Sequence, residues 1–230
     1  MVVYETENNS SRVNDASPTD GLRTIVVAGV SSGAGKTCLA ESMTRSLAGR
    51  FRTAAAKMTV THGERGCPHG GKGCDVCGSL GGEFQVITRE SIIKQEGTDT
   101  ARLSAAGASP VVWAITKEAA VLEAWREMSR LMRGAACAVI ESNTLALVIK
   151  PALTLMIVDP SVSRKIWKPS AEHLIAHADY VIFNDRGPKE KRAERLAEVE
   201  SLRGSTQDLI FVFHPHQAAQ HPSLIARLKE

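Results

Sequence analysis

One stretch near the N-terminus limits the possible folds more than any other part of the chain. Residues 25–37 read IVVAGVSSGAGKT: a β-branched run, a glycine-rich segment, and then Lys36 and Thr37. The run at 24–27 predicts a buried parallel strand, and the glycines allow a tight turn whose N–H groups face an anion. Lys36 can reach the β- and γ-phosphates of a nucleotide, and the Thr37 hydroxyl can bind Mg²⁺.

The helix predicted over residues 38–48 would direct the positive end of its dipole at those phosphates. The stretch therefore predicts a P-loop, and the alternative is a glycine-rich turn without a ligand. The predicted phosphate-binding residues are Gly33, Ala34, Gly35, Lys36, Thr37 and Cys38. Five residues separate Gly29 from Gly35, and Val30 stands where the first glycine is usual. In this spacing the loop resembles the SIMIBI class of P-loop proteins, which includes synthetases, metallochaperone NTPases and simple GTPases.

The composition suits one α/β domain with a sizeable core, because 230 residues are enough to bury one. A net charge of +3 is too small to indicate a nucleic-acid partner. No run of 18 apolar residues predicts a membrane span, and the N-terminus lacks the pattern of a signal peptide. A P-loop needs a compartment that contains nucleotide, so we expect a cytoplasmic protein. Its five cysteines then favour metal or redox chemistry over disulfides.

Apolar runs alternate with helical patterns along the chain, which predicts a doubly wound, mostly parallel α/β sheet. Residues 1–21 are polar and predict a disordered tail, so the P-loop NTPase domain covers residues 22–230. The predicted strands lie at 24–27, 51–59, 84–88, 110–115, 136–140, 153–158, 180–183 and 209–213. The predicted helices lie at 38–48, 99–106, 117–132, 171–178, 188–202 and 223–228.

Three polar side chains follow predicted strands and should meet at the carboxyl edge of the sheet, where ligands bind in this architecture. Glu141 and Asp159 both qualify as the carboxylate that a P-loop site needs near Mg²⁺, and capping of a strand end is the alternative for each. Asn184 is the candidate for reading the base. In GTPases of the class an Asn-Lys-x-Asp stretch at this place reads guanine. Here Asp185 stands in place of the lysine, so we expect a modest GTP preference or none.

A glycine- and cysteine-rich loop at residues 60–82 is the second strong feature. Cys74 and Cys77 form a C-x-x-C chelate, and six residues separate Cys67 from Cys74. With His69 the three thiolates make a tetrahedral zinc set, whereas the thiolates alone could hold a [4Fe–4S] cluster. A redox pair and ordinary loop thiols remain alternatives. Cys38 and Cys137 fall inside a predicted helix and strand, which predicts a place in the core for both.

The order of motifs resembles the MobB family of molybdopterin-guanine dinucleotide biosynthesis adapter proteins over residues 22–145. Beyond the P-loop, the matching features are Lys57 on the second strand, GTDTAR at 97–102, AGA at 106–108 and VIE at 139–141. Ser142 and Thr98 replace a glycine and a lysine of the family pattern, and the cysteine loop is an addition to it. The resemblance implies GTP binding and a role in cofactor assembly.

The sequence as a whole predicts a slow, Mg²⁺-dependent NTPase that uses GTP or ATP and helps to mature or deliver a metal cofactor. Lys36, Glu141 and Asp99 are the predicted catalytic residues, and either acid would bind a metal-bound water or orient the attacking water. Slow hydrolysis is expected because no arginine finger is evident in the loop. We expect a homodimer that works with a metalloenzyme or a cofactor-assembly protein. The rivals are a synthetase or kinase of the dethiobiotin synthetase type and a nucleotide-binding scaffold without hydrolysis.

Overall fold

The computed structural model describes residues 21–61, 80–184, 188–205 and 208–229. These residues contain eight strands: β1 Arg23–Gly29, β2 Thr53–Thr61, β3 Phe84–Ile87, β4 Val111–Lys117, β5 Cys137–Glu141, β6 Leu153–Val158, β7 Tyr180–Asn184 and β8 Leu209–Val212. They form one sheet in the order β3-β4-β2-β5-β1-β6-β7-β8. Every neighbouring pair is parallel except β3 and β4. The predicted mostly parallel α/β sheet is confirmed.

Helices connect the parallel strands. They are α1 Lys36–Ala48, α2 Glu90–Ile93, α3 Asp99–Ala105, α4 Val121–Leu131, α5 Asn143–Val148, α6 Ala171–His177, α7 Lys189–Arg203 and α8 Pro222–Lys229. Short 3₁₀ segments cover Glu118–Ala120, Arg164–Ile166 and Pro215–Gln220. Within the described ranges no helix has the length and apolar character needed to cross a membrane.

The alternation of side chains along β1 shows that both faces of the sheet are covered, as a doubly wound sheet requires. Ile25 and Val27 pack in one hydrophobic cluster with Leu39 and Met43 of α1. Val26 points to the other face, where it joins a second cluster that includes α4. Because β1 is central and buried on both faces, its end at Gly29 is a rigid base for the loop that follows.

The structure differs from the sequence predictions in its helices. The helix α3 begins at Asp99, as predicted, and the Thr98 side chain caps it by accepting from the Ala101 N–H at 3.2 Å. The helix α4 begins later than predicted because β4 extends to Lys117 and a 3₁₀ turn follows it. Helices α2 and α5 were not predicted, since they have four and six residues and lack a long apolar period. The predicted tail lies outside the described residues except for Gly21.

Candidate active site

The loop between β1 and α1 has the backbone of an anion-binding turn. Gly33 and Gly35 adopt φ angles of +76° and +105°, which residues with a Cβ rarely adopt. Gly35 is the N-cap of α1, and its carbonyl accepts the first helical hydrogen bond, from Leu39, at 3.0 Å. A Cβ at Gly35 would also lie 2.6 Å from Cγ of Pro215. The glycine is therefore required both by its backbone angle and by the segment packed against it.

Lys36 is buried and folded back on the loop. A Cβ at Gly29 would lie 2.9 Å from Cγ of Lys36, so the lysine stem occupies the space above this glycine. Its Nζ donates to the Ser31 carbonyl at 2.7 Å. Burial and then the nearby Lys168 ammonium lower the pKa of Lys36 to about 8, although Glu141 opposes them. A desolvated ammonium that donates to a loop carbonyl is well placed to donate to a phosphate oxygen instead.

Asn143 fixes the base of the loop. Its Oδ1 accepts from the Gly29 N–H at 3.1 Å, and its Nδ2 donates to the Gly29 carbonyl at 2.9 Å. Nδ2 also lies 3.2 Å from the Ser170 hydroxyl, to which it donates. The residue is 6% exposed and begins α5, whose N-cap is Ser142. Sequence reasoning missed this amide, and its place two residues after Glu141 was the available signal.

The strand register brings Lys57 and Glu141 to the same edge of the sheet. Glu141 of β5 is aligned with Val27 of β1 and with Lys57 of β2. Residues aligned on neighbouring parallel strands point to the same face, so both side chains meet beside the loop that β1 leads into. Asp99 enters from the first turn of α3 and forms an ion pair with Lys57.

The Thr37 hydroxyl links the two acids. It donates to Glu141 Oε2 at 2.8 Å, and it also helps to lower the pKa of Asp99. Glu141 is 7% exposed. Burial raises the pKa of Asp99, but hydrogen bonds from Lys57 and Thr37 outweigh burial, and the pKa lies below its usual value. Asp99 therefore remains an anion at neutral pH.

These oxygen donors fit Mg²⁺, which prefers one or two carboxylates together with substrate phosphates. The hydroxyl of Thr37 and the carboxylates of Asp99 and Glu141 would hold it. Ser31 adds a further sign of a missing ligand, because its Oγ is buried and has no hydrogen-bond partner among the described residues. The structure thus brings Lys36, Thr37, Asp99 and Glu141 together. Their catalytic roles stay predictions.

Asp159 does not join this group. Its Oδ1 accepts from the Ser161 N–H at 2.9 Å and from the Ser161 hydroxyl at 2.7 Å, closing a turn after β6. Of the two acids that sequence reasoning proposed for Mg²⁺, the geometry favours Glu141. Asp159 has the capping role that was its alternative.

Asn184 ends β7, as predicted, and is 4% exposed. Its Oδ1 has no hydrogen-bond partner among the described residues, so a buried acceptor is available at the carboxyl edge. Asp185, its neighbour in the predicted base-reading motif, lies outside the described residues. The role of Asn184 in reading the base stays a prediction.

The 3₁₀ segment Pro215–Gln220 packs on α1 and was not foreseen as part of the site. The Ser42 hydroxyl donates to the His216 carbonyl at 2.8 Å, and Cys38 Sγ lies 4.0 Å from His216 Nδ1. Cys38 is only half-buried, so its predicted place in the core was wrong, whereas Cys137 is buried. The segment follows β8 and covers Gly35. No local sequence pattern predicts this contact, because 180 positions separate Gly35 from Pro215.

The predicted metal ligands Cys67, Cys74, Cys77 and His69 lie outside the described residues. Among the residues that are described, no group of three or more His, Cys, Asp or Glu side chains could hold a metal ion. The zinc or iron–sulfur prediction therefore depends on the sequence alone.

No protein-family model and no curated protein matches the chain. Solved structures with a similar chain path include the hydrogenase maturation factor HypB from Archaeoglobus fulgidus, with 12% identity, a TM-score of 0.45, and coverage of 84% of this chain and 81% of that one. HypB from Helicobacter pylori in complex with nickel has 13% identity, a TM-score of 0.46 and coverage of 91% and 89%. An LAO/AO transport system kinase has 14% identity, a TM-score of 0.48 and coverage of 91% and 60%. These similarities concern the fold alone.

Proposed function

We propose that the chain is a Mg²⁺-dependent NTPase that binds a purine nucleoside triphosphate at the β1–α1 loop. The observation that carries this proposal is the hydrogen bond from Thr37 Oγ1 to Glu141 Oε2 at 2.8 Å. Thr37 directly follows the buried Lys36 at the end of a glycine-rich loop. An ammonium, a hydroxyl and a carboxylate in this arrangement fit a ligand that combines phosphates with a hard cation.

The roles of the side chains follow from their positions. The Lys36 ammonium exchanges the Ser31 carbonyl for phosphate oxygens, and the loop N–H groups bind the phosphates from the other side. When bound, Mg²⁺ neutralises charge on the β- and γ-phosphates. Glu141 and Asp99 hold the cation's ligand shell or orient the attacking water. Asn143 keeps the base of the loop fixed during the reaction through its two hydrogen bonds to Gly29.

Base choice gives the test of this proposal. The Asn184 Oδ1 is a buried acceptor without a partner among the described residues, but Asp185 stands where the guanine-reading motif has its lysine. We expect phosphate release at about 10⁻⁴ to 10⁻² s⁻¹ with Mg²⁺, and a modest GTP preference or none. Replacing Asn184 with alanine should remove any such preference and keep the turnover.

Phosphate release is measured with ATP and GTP, with Mg²⁺ and with EDTA. A GTP preference above about 100-fold, roughly 2.7 kcal/mol, would show that the protein has a base-reading pocket beyond Asn184. Absence of release from both nucleotides would contradict hydrolysis itself.

One observation favours a synthetase or kinase as a second candidate. Lys57 places another ammonium beside Asp99 and in register with Glu141, close to the acids but separate from the P-loop lysine. Such a cation could hold an anionic acceptor for the γ-phosphoryl group. Turnover that requires a small carboxylate acceptor, and stops without one, would identify this activity.

The biological setting that we propose is cofactor assembly, as in the MobB family that the sequence resembles. The support is the order of motifs from the P-loop to Glu141, to which the fold adds that Lys57 and Asp99 meet at the site. In this setting the protein acts in the cytoplasm, as a homodimer, with a metalloenzyme or a cofactor-assembly protein as its partner.

The cysteine loop should bind one zinc ion or one [4Fe–4S] cluster per chain, because three thiolates at this spacing form a chelate. Replacing Cys67, Cys74 and Cys77 with serine should remove the metal completely. Metal analysis and visible absorption of protein purified without air measure this. The matched control is Cys137→Ser, since that thiol is buried beside Thr53. Wild-type protein that carries neither zinc nor iron would contradict the prediction.

A further inference from the structure

The segment between β6 and α6 carries a lysine whose backbone is tied to the P-loop. The Lys168 N–H donates to the carbonyl of Val30, the first residue after β1, at 2.8 Å. Two residues later Ser170 accepts from Asn143, which itself holds Gly29. The hydrogen bonds of Lys168 and Ser170 therefore fix the backbone of this segment relative to the loop.

The Lys168 side chain is half-buried. No described residue forms an ion pair or a hydrogen bond with its ammonium, while Arg164, on the same segment, is paired with Glu172 at 2.6 Å. Lys168 is close enough to Lys36 to act on its pKa, and Glu141 acts on that of Lys168. A cation without an ion-pair or hydrogen-bond partner among the described residues is therefore held on a segment that is hydrogen-bonded to the P-loop.

Phosphoryl transfer leaves a task for such a cation. In hydrolysis, water attacks the γ-phosphorus, the bond to the bridging oxygen breaks, and the nucleoside diphosphate leaves with the electron pair. The proton of the attacking water passes to the phosphate product. Negative charge on the phosphoryl and bridging oxygens has to be stabilised meanwhile, and a well-placed arginine finger contributes about 10³–10⁵ in rate in related systems.

We propose that Lys168 supplies this cation from within the chain and contacts the transferring phosphoryl group, a role that rests on the proposed NTPase function. The lysine keeps its proton throughout and acts by charge alone. It requires no partner protein, because the hydrogen bond between its own backbone and Val30 sets its distance from the loop. Sequence reasoning looked for an arginine inside the P-loop and missed it.

The test compares Lys168→Ala with Lys168→Arg and with Lys165→Ala, which removes an exposed lysine from the same segment. The alanine variant keeps the N–H bond to Val30, so the loop should retain its position. We expect kcat to fall about 10³-fold in Lys168→Ala, the lower end of the range of an arginine finger. The affinity of Lys168→Ala for the nucleoside diphosphate should change less than about threefold. Lys168→Arg should recover most of kcat, and Lys165→Ala should have the kcat of the wild type.

Binding of the nucleoside diphosphate with aluminium fluoride, which imitates the transferring phosphoryl group, provides a second readout that needs no turnover. Lys168→Ala should weaken the binding of the aluminium fluoride complex at least about tenfold more than it weakens the binding of the diphosphate alone. Lys168→Met keeps the aliphatic stem and serves if the alanine variant is unstable. Equal kcat and equal aluminium fluoride binding in Lys168→Ala and wild type would overturn this inference and leave the NTPase proposal intact. Wild-type protein that binds no nucleotide would overturn both.

Discussion

Replacing Lys36 with alanine should lower the affinity for Mg²⁺-nucleoside triphosphate at least about 100-fold, or roughly 2.7 kcal/mol. The loss is large because Lys36 is the buried ammonium of the loop, and a charge-assisted bond to phosphate in a desolvated site is strong. Within the described part of the chain, the Lys36 ammonium donates to the Ser31 carbonyl, and a phosphate oxygen would replace that carbonyl. Titration calorimetry with a non-hydrolysable analogue measures the change.

The same variant should remain folded. Burial already lowers the pKa of Lys36, which means that the folded state gains little from its charge. We expect the midpoint of thermal unfolding to stay near that of the wild type. Lys94→Ala, which removes an exposed ammonium that is paired with Glu90, is the matched control. Nucleotide affinity that is equal in Lys36→Ala and Lys94→Ala would remove the P-loop assignment.

Glu141→Gln should abolish most Mg²⁺-dependent turnover while the fold is kept. Glutamine can still accept the hydrogen bond from Thr37, so the change removes the charge and leaves the contact geometry. We expect kcat to fall about 10²–10⁴-fold, the range of a positioned acid or base. Diphosphate binding in EDTA should be nearly unchanged, because Glu141 contacts the nucleotide only through the cation or the water.

Asp159→Asn is the matched control for this prediction. Both acids follow a buried strand, and sequence alone could not rank them. In the structure Asp159 is bonded to Ser161, so its neutral variant should turn over nucleotide at the wild-type rate. An equal loss of turnover in the two variants, or a loss in Asp159→Asn alone, would show that Glu141 is wrongly assigned as the carboxylate near Mg²⁺.

The P-loop and Glu141 were predictable from sequence because their signals are local. A glycine pattern that ends in Lys36-Thr37 specifies a strand, a turn and a helix within a few residues, and an acid directly after an apolar run must lie at a strand end. Lys57 and Asp99 were also named, although their ion pair joins residues 42 positions apart and could only be seen in the fold.

The remaining parts of the site depend on which strands are neighbours. Asn143 reaches Gly29 because β5 and β1 are adjacent, and Lys168 reaches Val30 because β6 lies on the other side of β1. Pro215 covers Gly35 across an even longer separation in sequence. The direction of β3 was also not predictable, since a strand of four residues has the same local pattern in either orientation.

The central claim is that this chain binds a purine nucleoside triphosphate at Lys36 and Thr37 in a Mg²⁺-dependent way. The most direct test is titration calorimetry of the wild type with non-hydrolysable analogues of ATP and GTP, each with Mg²⁺ and with EDTA. We predict one site per chain, a dissociation constant of about 1–100 μM or tighter, roughly −8.2 to −5.5 kcal/mol at those limits, and weaker binding in EDTA. Absence of binding by both analogues at millimolar concentration, with the protein folded, would contradict the account.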